Sequence, residues 1–325
     1  MAITFASGLS FLGGFTVTAA LPSENTAAWF GGGRAGAPIL STVQRITYAT
    51  DTATASVRGP LSLARFYLAA AGNFTDGWFG GGNPSPVYLS TVDRITYATD
   101  TATASVRGPL SAAKYRLAAV GNTTDGWFGC GYKSNPTYTL TSTVDRITYA
   151  TDTATASVRG PLSLAKKTYL SAAGNSDYGW FGGGLGPYPT AKSTVDRITY
   201  ATDTDTASVR GPLSLARFGI AAAGNSTDGW FGGGYIVGQG WLSIVDRITY
   251  ATDTATASVR GPLSAAKYNS AAAGNSTDGW FGGGIQPGDG STVYRITYAT
   301  DTATASVRGP LSSRTNESAA AGGIQ

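Results

Sequence analysis

The strongest regularity along the chain is a block in which two aromatic residues run into glycine, Trp-Phe-Gly-Gly-Gly or a close variant. It recurs at Trp29, Trp78, Trp127, Trp180, Trp230 and Trp280, with spacings of 49, 49, 53, 50 and 50 residues. Short runs of strand character lie between the blocks, and residues 61–110 serve as the example. Run A is small and apolar, Phe66 to Ala71. Run B is Gly77-Trp78-Phe79-Gly80, entered through the turn Gly72 to Asp76. Run C, Ser90 to Thr99, is β-branched and aromatic and prefers strand. Run D spans Ala102 to Arg107 and is stopped by Gly108-Pro109, because proline cannot donate to a sheet ladder.

A period near fifty holding several short strands predicts a propeller of the kelch size class. One such unit cannot bury both faces of its small sheet, whereas six packed round an axis can. The expected fold is all-β: a six-bladed β-propeller of four-stranded antiparallel blades in one domain. Its units are 14–61, 62–110, 111–162, 163–213, 214–263 and 264–311, with 1–13 and 312–325 as closing strands. The alternative is seven blades, one of them thin and made from the two termini. Ala-rich run A suits the crowded innermost strand, and run C suits a strand sandwiched between neighbouring sheets. The asparagines of the A-to-B turns are expected in left-handed geometry.

The residues Arg65, Ala69 to Ala71, Trp78-Phe79-Gly80-Gly81 and Tyr97 together resemble the kelch repeat. That resemblance covers about residues 14–311. Where kelch units carry a further Trp after the Tyr, this chain has Ala98 to Thr103. The wording VDRITYATDTATASVRGPLS, with AAAGNSTDGWFGGG, also resembles repeats of virion and tail-associated proteins of marine tailed bacteriophages. This implies a structural protein of a virion, in its tail, fibres or surface; attachment to a host glycan or a neighbouring virion protein through one propeller face is the function expected of it. The alternative is a cytoplasmic protein–protein interaction scaffold outside any virus.

Composition narrows the chemistry. Histidine is absent, which removes the commonest metal ligand and general base. Cys130 is the only cysteine; it stands where other units have the second glycine of the triplet and reads as a tolerated small residue. Of the 23 Lys and Arg, eighteen fall at three repeated positions, so the net charge of +4 is spread by the scaffold. Without a basic run or a helix for a groove, no nucleic-acid partner is expected. No apolar stretch is long enough for a membrane helix, and the apolar start lacks the positive charge of a signal peptide, so no cleaved signal is expected. The Asp93-Arg94 pair and its equivalents point to opposite faces of a strand, and an ion or hydrogen-bond ladder between blades is the expected role. The turns around Asn225 lack the bidentate Glu of a calcium loop. The glycine triplets lack the lysine and helix of a phosphate loop. No catalytic residue, metal or cofactor is expected, and the protein reads as a binding or structural protein, not an enzyme.

Units this similar act as controls for one another, so departures from the repeat mark positions the scaffold does not dictate. They concentrate in the B-to-C loops and at the start of run A, such as Phe66-Tyr67, Tyr115-Arg116 and Tyr268-Asn269. In an up-and-down blade both segments emerge on one face. Variation confined to one face of a repeat scaffold fits binding there, and equally fits loops that are tolerant of change, with their aromatics covering the propeller top. The expected ligand-binding residues are Tyr88, Tyr132, Lys133, Tyr138, Tyr188, Tyr235, Gln239, Trp241 and Asp289, flat aromatic faces with polar groups suited to a sugar or a protein.

Overall fold

The computed structural model describes residues 25–133, 139–163, 168–286 and 290–322. They form an all-β fold of repeated four-stranded antiparallel sheets, the arrangement of propeller blades. In the unit around Trp78 the strands are A, Ala69–Gly72; B, Asp76–Gly80; C, Val92–Thr96; and D, Ser105–Arg107, hydrogen-bonded in that order. Six such sheets occur among the described residues. The sheet around Trp29 takes its strand A from the other end of the chain: Ala319–Ala321 pairs with Ala27–Gly31, placing Trp29 opposite Ala321. Residues 1–13, expected as a closing strand, lie outside the described residues.

Strand C is shorter than expected. The stretch Ser90 to Thr99 is strand only over Val92–Thr96, and Tyr97–Thr99 is a single 3-10 turn. Strand D likewise begins at Ser105, not Ala102, and strand A at Ala69, not Phe66. The 3-10 turn has a purpose that strand propensity does not reveal. It carries Tyr97 flat against Trp29 of the preceding unit, with ring centroids 3.7 Å apart, and it turns Asp100 inward to accept from Trp29 Nε1 at 2.8 Å. Arg45 and Arg58 reach the same carboxylate at 3.0 and 3.4 Å. The Trp-to-Asp bond recurs at every unit, ending with Trp280 Nε1 to Asp51 at 2.8 Å.

The aromatic pair is thus shared out. Trp reaches forward to the next unit, while Phe packs backward: a Cβ on Gly31 would come within 2.8 Å of the Phe79 ring, and one on Gly80 within 2.9 Å of Phe128. The first glycine of each triplet is therefore a seat for an aromatic ring. Gly80→Ala is expected to destabilise by about 1–3 kcal/mol through overpacking, read as a lower denaturant midpoint with unchanged slope. The core follows the same logic and lies between units: Ala71, Trp78 and Val92 pack with Phe128, Ile147 and Tyr149, and Ala273, Trp280 and Val293 with Ala28, Phe30 and Ile46.

The A-to-B turns correct another expectation. Asn73 is not among the residues of positive φ; its side chain does the work, with Oδ1 accepting from the backbone N–H of Thr75 and Asp76, both at 2.9 Å. The amide nitrogens of Asn122 and Asn175 then donate to carbonyls of the following unit, Ser176 and Ser226, each at 3.3 Å. Cys130, by contrast, does stand in the left-handed region at φ 63°, as its glycine counterparts do, and is buried.

Candidate functional site

The B-to-C loop and the start of strand A meet in every unit that can be followed. Phe66 and Asn83 exchange backbone hydrogen bonds, as do Phe218 with Tyr235, Tyr268 with Ile285, and Thr168 with Leu185. Lys114–Tyr115 pairs with Tyr132–Lys133 in a small sheet. Both variable segments therefore share one face.

A buried cation fixes the chain as it approaches this face. Arg65 pairs with Asp93 at 3.1 Å, Lys114 with Asp145 at 2.9 Å and Arg217 with Asp246 at 2.8 Å, all with side chains sealed from solvent. Asp93 thus works within its own unit, and only Arg94 crosses between units, to Asp152 at 3.1 Å. The expected inter-blade ladder holds for the arginine half of the Asp-Arg pair alone. Two units lack the carboxylate. Gln44 replaces it in one, receiving Ser312 Oγ and donating to Thr315 Oγ1, and Arg314 is exposed there. Tyr294 replaces it in the other, and Lys267 stays buried 4.1 Å from that ring, donating to the carbonyls of Gly283 and Thr292 at 3.0 and 3.1 Å. Burial lowers the Lys267 pKa to about 7.

The residues singled out from sequence fall into two aromatic groups and several separate positions. Tyr88 and Tyr132 both stack on Tyr115, with centroids at 4.1 and 5.5 Å. Tyr235 packs against Phe218 and Tyr268, both at 5.4 Å, and Trp241 lies 6.4 Å from Tyr268. Lys133 and Gln239 are exposed, the latter at a hairpin tip joining Tyr235–Ile236 to Gly240–Trp241. Tyr188 is 75% exposed. Tyr138 and Asp289 lie outside the described residues.

A third group, at the centre of the face, was not singled out. Tyr67, Arg116, Tyr169, Gly219, Asn269 and Glu317 hold the same place in their units, two residues before strand A, and all have left-handed φ of 54–65°. Each backbone N–H donates to the carbonyl of the preceding member: Arg116 to Tyr67 at 2.8 Å, Tyr169 to Arg116 at 3.2 Å, Gly219 to Tyr169 at 2.9 Å, Asn269 to Gly219 at 2.7 Å and Glu317 to Asn269 at 2.9 Å. Tyr67 N–H to Glu317 O, 2.7 Å, returns the series to its start.

The side chains of this ring are coupled. Tyr169 Oη and Asn269 Nδ2 donate to Tyr67 Oη at 3.1 and 3.3 Å, and Tyr67 and Glu317 are electrostatically coupled. Arg116 lies over the rings of Tyr67 and Tyr169 at 4.6 and 4.1 Å. Burial raises the Glu317 pKa against the opposing pull of Tyr67, Arg34, Arg116 and Asn269. Burial also raises Tyr169, to about 12. Below the ring lies a cavity of about 170 Å³ bounded by all six A strands, which places the Ala-rich runs innermost. No group of three or more His, Cys, Asp or Glu placed to hold a metal occurs among the described residues, and no helix there is long and apolar enough to cross a membrane.

Five of the ring residues belong to the run A starts marked as variable; Glu317 does not, and the convergence of the six was not foreseen. The available signal was that one position held Tyr, Arg, Tyr, Gly, Asn and Glu in units otherwise nearly identical. No family model and no curated protein matches the chain.

Proposed function

We propose that the chain is a six-bladed, kelch-like β-propeller acting as a recognition module, with no catalytic activity, through the face that carries the B-to-C loops and the central ring. Six blades are favoured over seven by the pairing of Ala319–Ala321 with Ala27–Gly31 and by the bond from Trp280 to Asp51, which repeats between last and first units what every other neighbouring pair has. The observation that carries the functional reading is the distribution of change. Residues that bind neighbouring units repeat almost without exception, while departures gather in segments that hydrogen-bond to one another on a single face. A scaffold that only needed to fold would have no reason to hold five different residue types across the six copies of one central position, in a backbone conformation that favours glycine.

The proposed setting is the surface or tail of a phage particle, with a host glycan or a neighbouring virion protein as partner; this rests on the resemblance of the repeat wording. Its test is a pull-down with intact particles and a glycan array. A variant carrying Tyr88→Ala, Tyr132→Ala and Trp241→Ala is expected to bind at least about tenfold more weakly, since buried aromatics dominate such interfaces. Thr75→Ala with Thr124→Ala, in the exposed A-to-B turns, is the control expected to bind as the parent does. Equal loss in both variants would remove the assignment to one face.

A further inference from the structure

We infer that the pocket at the centre of the variable face is a saccharide site, in which Glu317, Ser270 and Ser318 receive the hydroxyl groups of one neutral sugar unit. This rests on the recognition reading above and specifies its ligand class.

The residue following each ring member lines the pocket just inside the mouth. In four units it is apolar, Leu68, Leu117, Leu170 and Ile220; in the two adjacent units that complete the circle it is Ser270 and Ser318. The wall is therefore divided into an apolar arc and a hydroxyl-bearing arc, with Asn269 and Glu317 above the latter. Glu317 and Ser270 are only 8% and 9% exposed, yet Glu317 Oε2, Ser270 Oγ and Ser318 Oγ have no hydrogen-bond partner among the described residues. Buried polar atoms are nearly always satisfied, and leaving them unmade is costly. With Arg116 Nε, also buried and without a partner, four such atoms line one pocket, three of them on neighbouring units; they mark a surface shaped for groups that donate and accept hydrogen bonds in turn, as vicinal hydroxyls do.

Charge and size choose among hydroxyl-bearing ligands. Arg116 is the one cation and Glu317 the one anion in the ring, and Arg116 is already set over the faces of Tyr67 and Tyr169. Neither sign dominates, which disfavours a phosphate or an ammonium and favours a neutral molecule. The mouth, about 70 Å³, has the room of a few water-sized groups. It accepts the edge of one ring and excludes a folded segment of protein. Gly219 leaves a gap in the circle of side chains, opposite Tyr67, through which the rest of a glycan can pass. The apolar arc matches the C–H face of a sugar, as mixed aromatic and aliphatic walls do in small-molecule pockets.

The test uses the full chain and a panel of neutral, acidic and amino monosaccharides, read by saturation-transfer NMR and calorimetry. At least one neutral monosaccharide is expected to bind, with a preference over charged sugars of the same skeleton. Ser270→Leu with Ser318→Leu supplies a residue already carried at that position by three other units, and is expected to weaken binding at least about tenfold, the value of one well-placed hydrogen bond. Glu317→Gln, which preserves shape, is expected to do the same and provides the reading should the double variant fold poorly. Unchanged affinity in the folded variants, or no monosaccharide binding by the parent chain, overturns the site. If the parent still captures particles or arrayed glycans through its rim aromatics in that event, the recognition reading stands without this pocket; if neither occurs, both fall.

Discussion

Asp152→Ala is expected to destabilise the fold by about 3 kcal/mol, because a single carboxylate at this point serves three donors from the neighbouring unit. Trp78 Nε1 donates to it at 2.8 Å, and Arg94 and Arg107 lie at 3.1 and 3.4 Å. Removing it leaves a buried indole N–H and the partly buried Arg107 guanidinium without their acceptor, and leaves Arg94 only its longer contact to Asp76 at 3.5 Å. Breaking one side of a buried pair commonly costs about 3–5 kcal/mol, and the arginines, 27% and 20% exposed, place this case at the low end. Asp152→Asn, which keeps an acceptor for the indole, is expected to cost less. A double-mutant cycle with Trp78→Phe would show the two losses to be far from additive. The same substitution at Asp51 carries a further consequence, since Asp51 holds Trp280 and so joins the last unit to the first. Chemical denaturation of Asp51→Ala should match that of Asp152→Ala. A neutral Asp51→Ala would mean that the ends of the chain do not meet in solution.

This hub also shows where sequence stops informing. The period, the sheet class and the stopping of strand D at Gly-Pro were readable, because each follows from local propensity. The constancy of Ala-Thr-Asp-Thr was readable as a turn but not as an anchor. Asp100 is 5% exposed while the neighbouring Thr99 and Thr101 are exposed, and only the packing of one unit on the next distinguishes them. Tyr97 was read as a strand residue for the same reason: an aromatic at the end of a β-branched run fits a strand until a neighbouring Trp requires its ring elsewhere. Asn73 was read through the backbone habits of its residue type, and the structure uses its side chain instead.

The candidate site was legible in outline and not in its centre. Comparing units located both variable segments, and the rim aromatics followed from residue type, although Tyr88, Tyr132 and Tyr235 prove to be packed on other tyrosines as much as presented to solvent. The ring of Tyr67, Arg116, Tyr169, Gly219, Asn269 and Glu317 was hidden by sequence separation: its members are about fifty residues apart, and nothing in any one of them announces a left-handed backbone. Gly219 and Asn269 have residue types that this conformation favours, but the two tyrosines, the arginine and the glutamate do not. Only a closed series of backbone hydrogen bonds brings the six together.

Stability should have an alkaline edge far steeper than the small charge of this chain suggests. Tyr48, Tyr97, Tyr149, Tyr200, Tyr250 and Tyr298 each lie flat on a tryptophan of the preceding unit, and burial raises the pKa of every one above its ordinary value near 10. Above about pH 10 the unfolded chain releases these protons while the folded chain keeps them, so the unfolded state binds fewer protons and stability falls as pH rises. Each tyrosine contributes about 1.4 kcal/mol per pH unit, so six together approach about 8 kcal/mol per unit. Lys267 acts in the opposite sense over a lower range. With its folded pKa lowered to about 7, the unfolded chain holds the extra proton between there and the ordinary lysine value of about 10.4, and stability rises through that interval by about 1.4 kcal/mol per unit. Denaturant midpoints measured across pH are therefore expected to climb above neutrality and then collapse beyond pH 10, with tyrosinate absorbance appearing together with the loss of structure. Lys267→Met should abolish the climb and leave the collapse in place. Gradual tyrosinate formation near pH 10 in a chain that stays folded would show that the rings are not sealed between units.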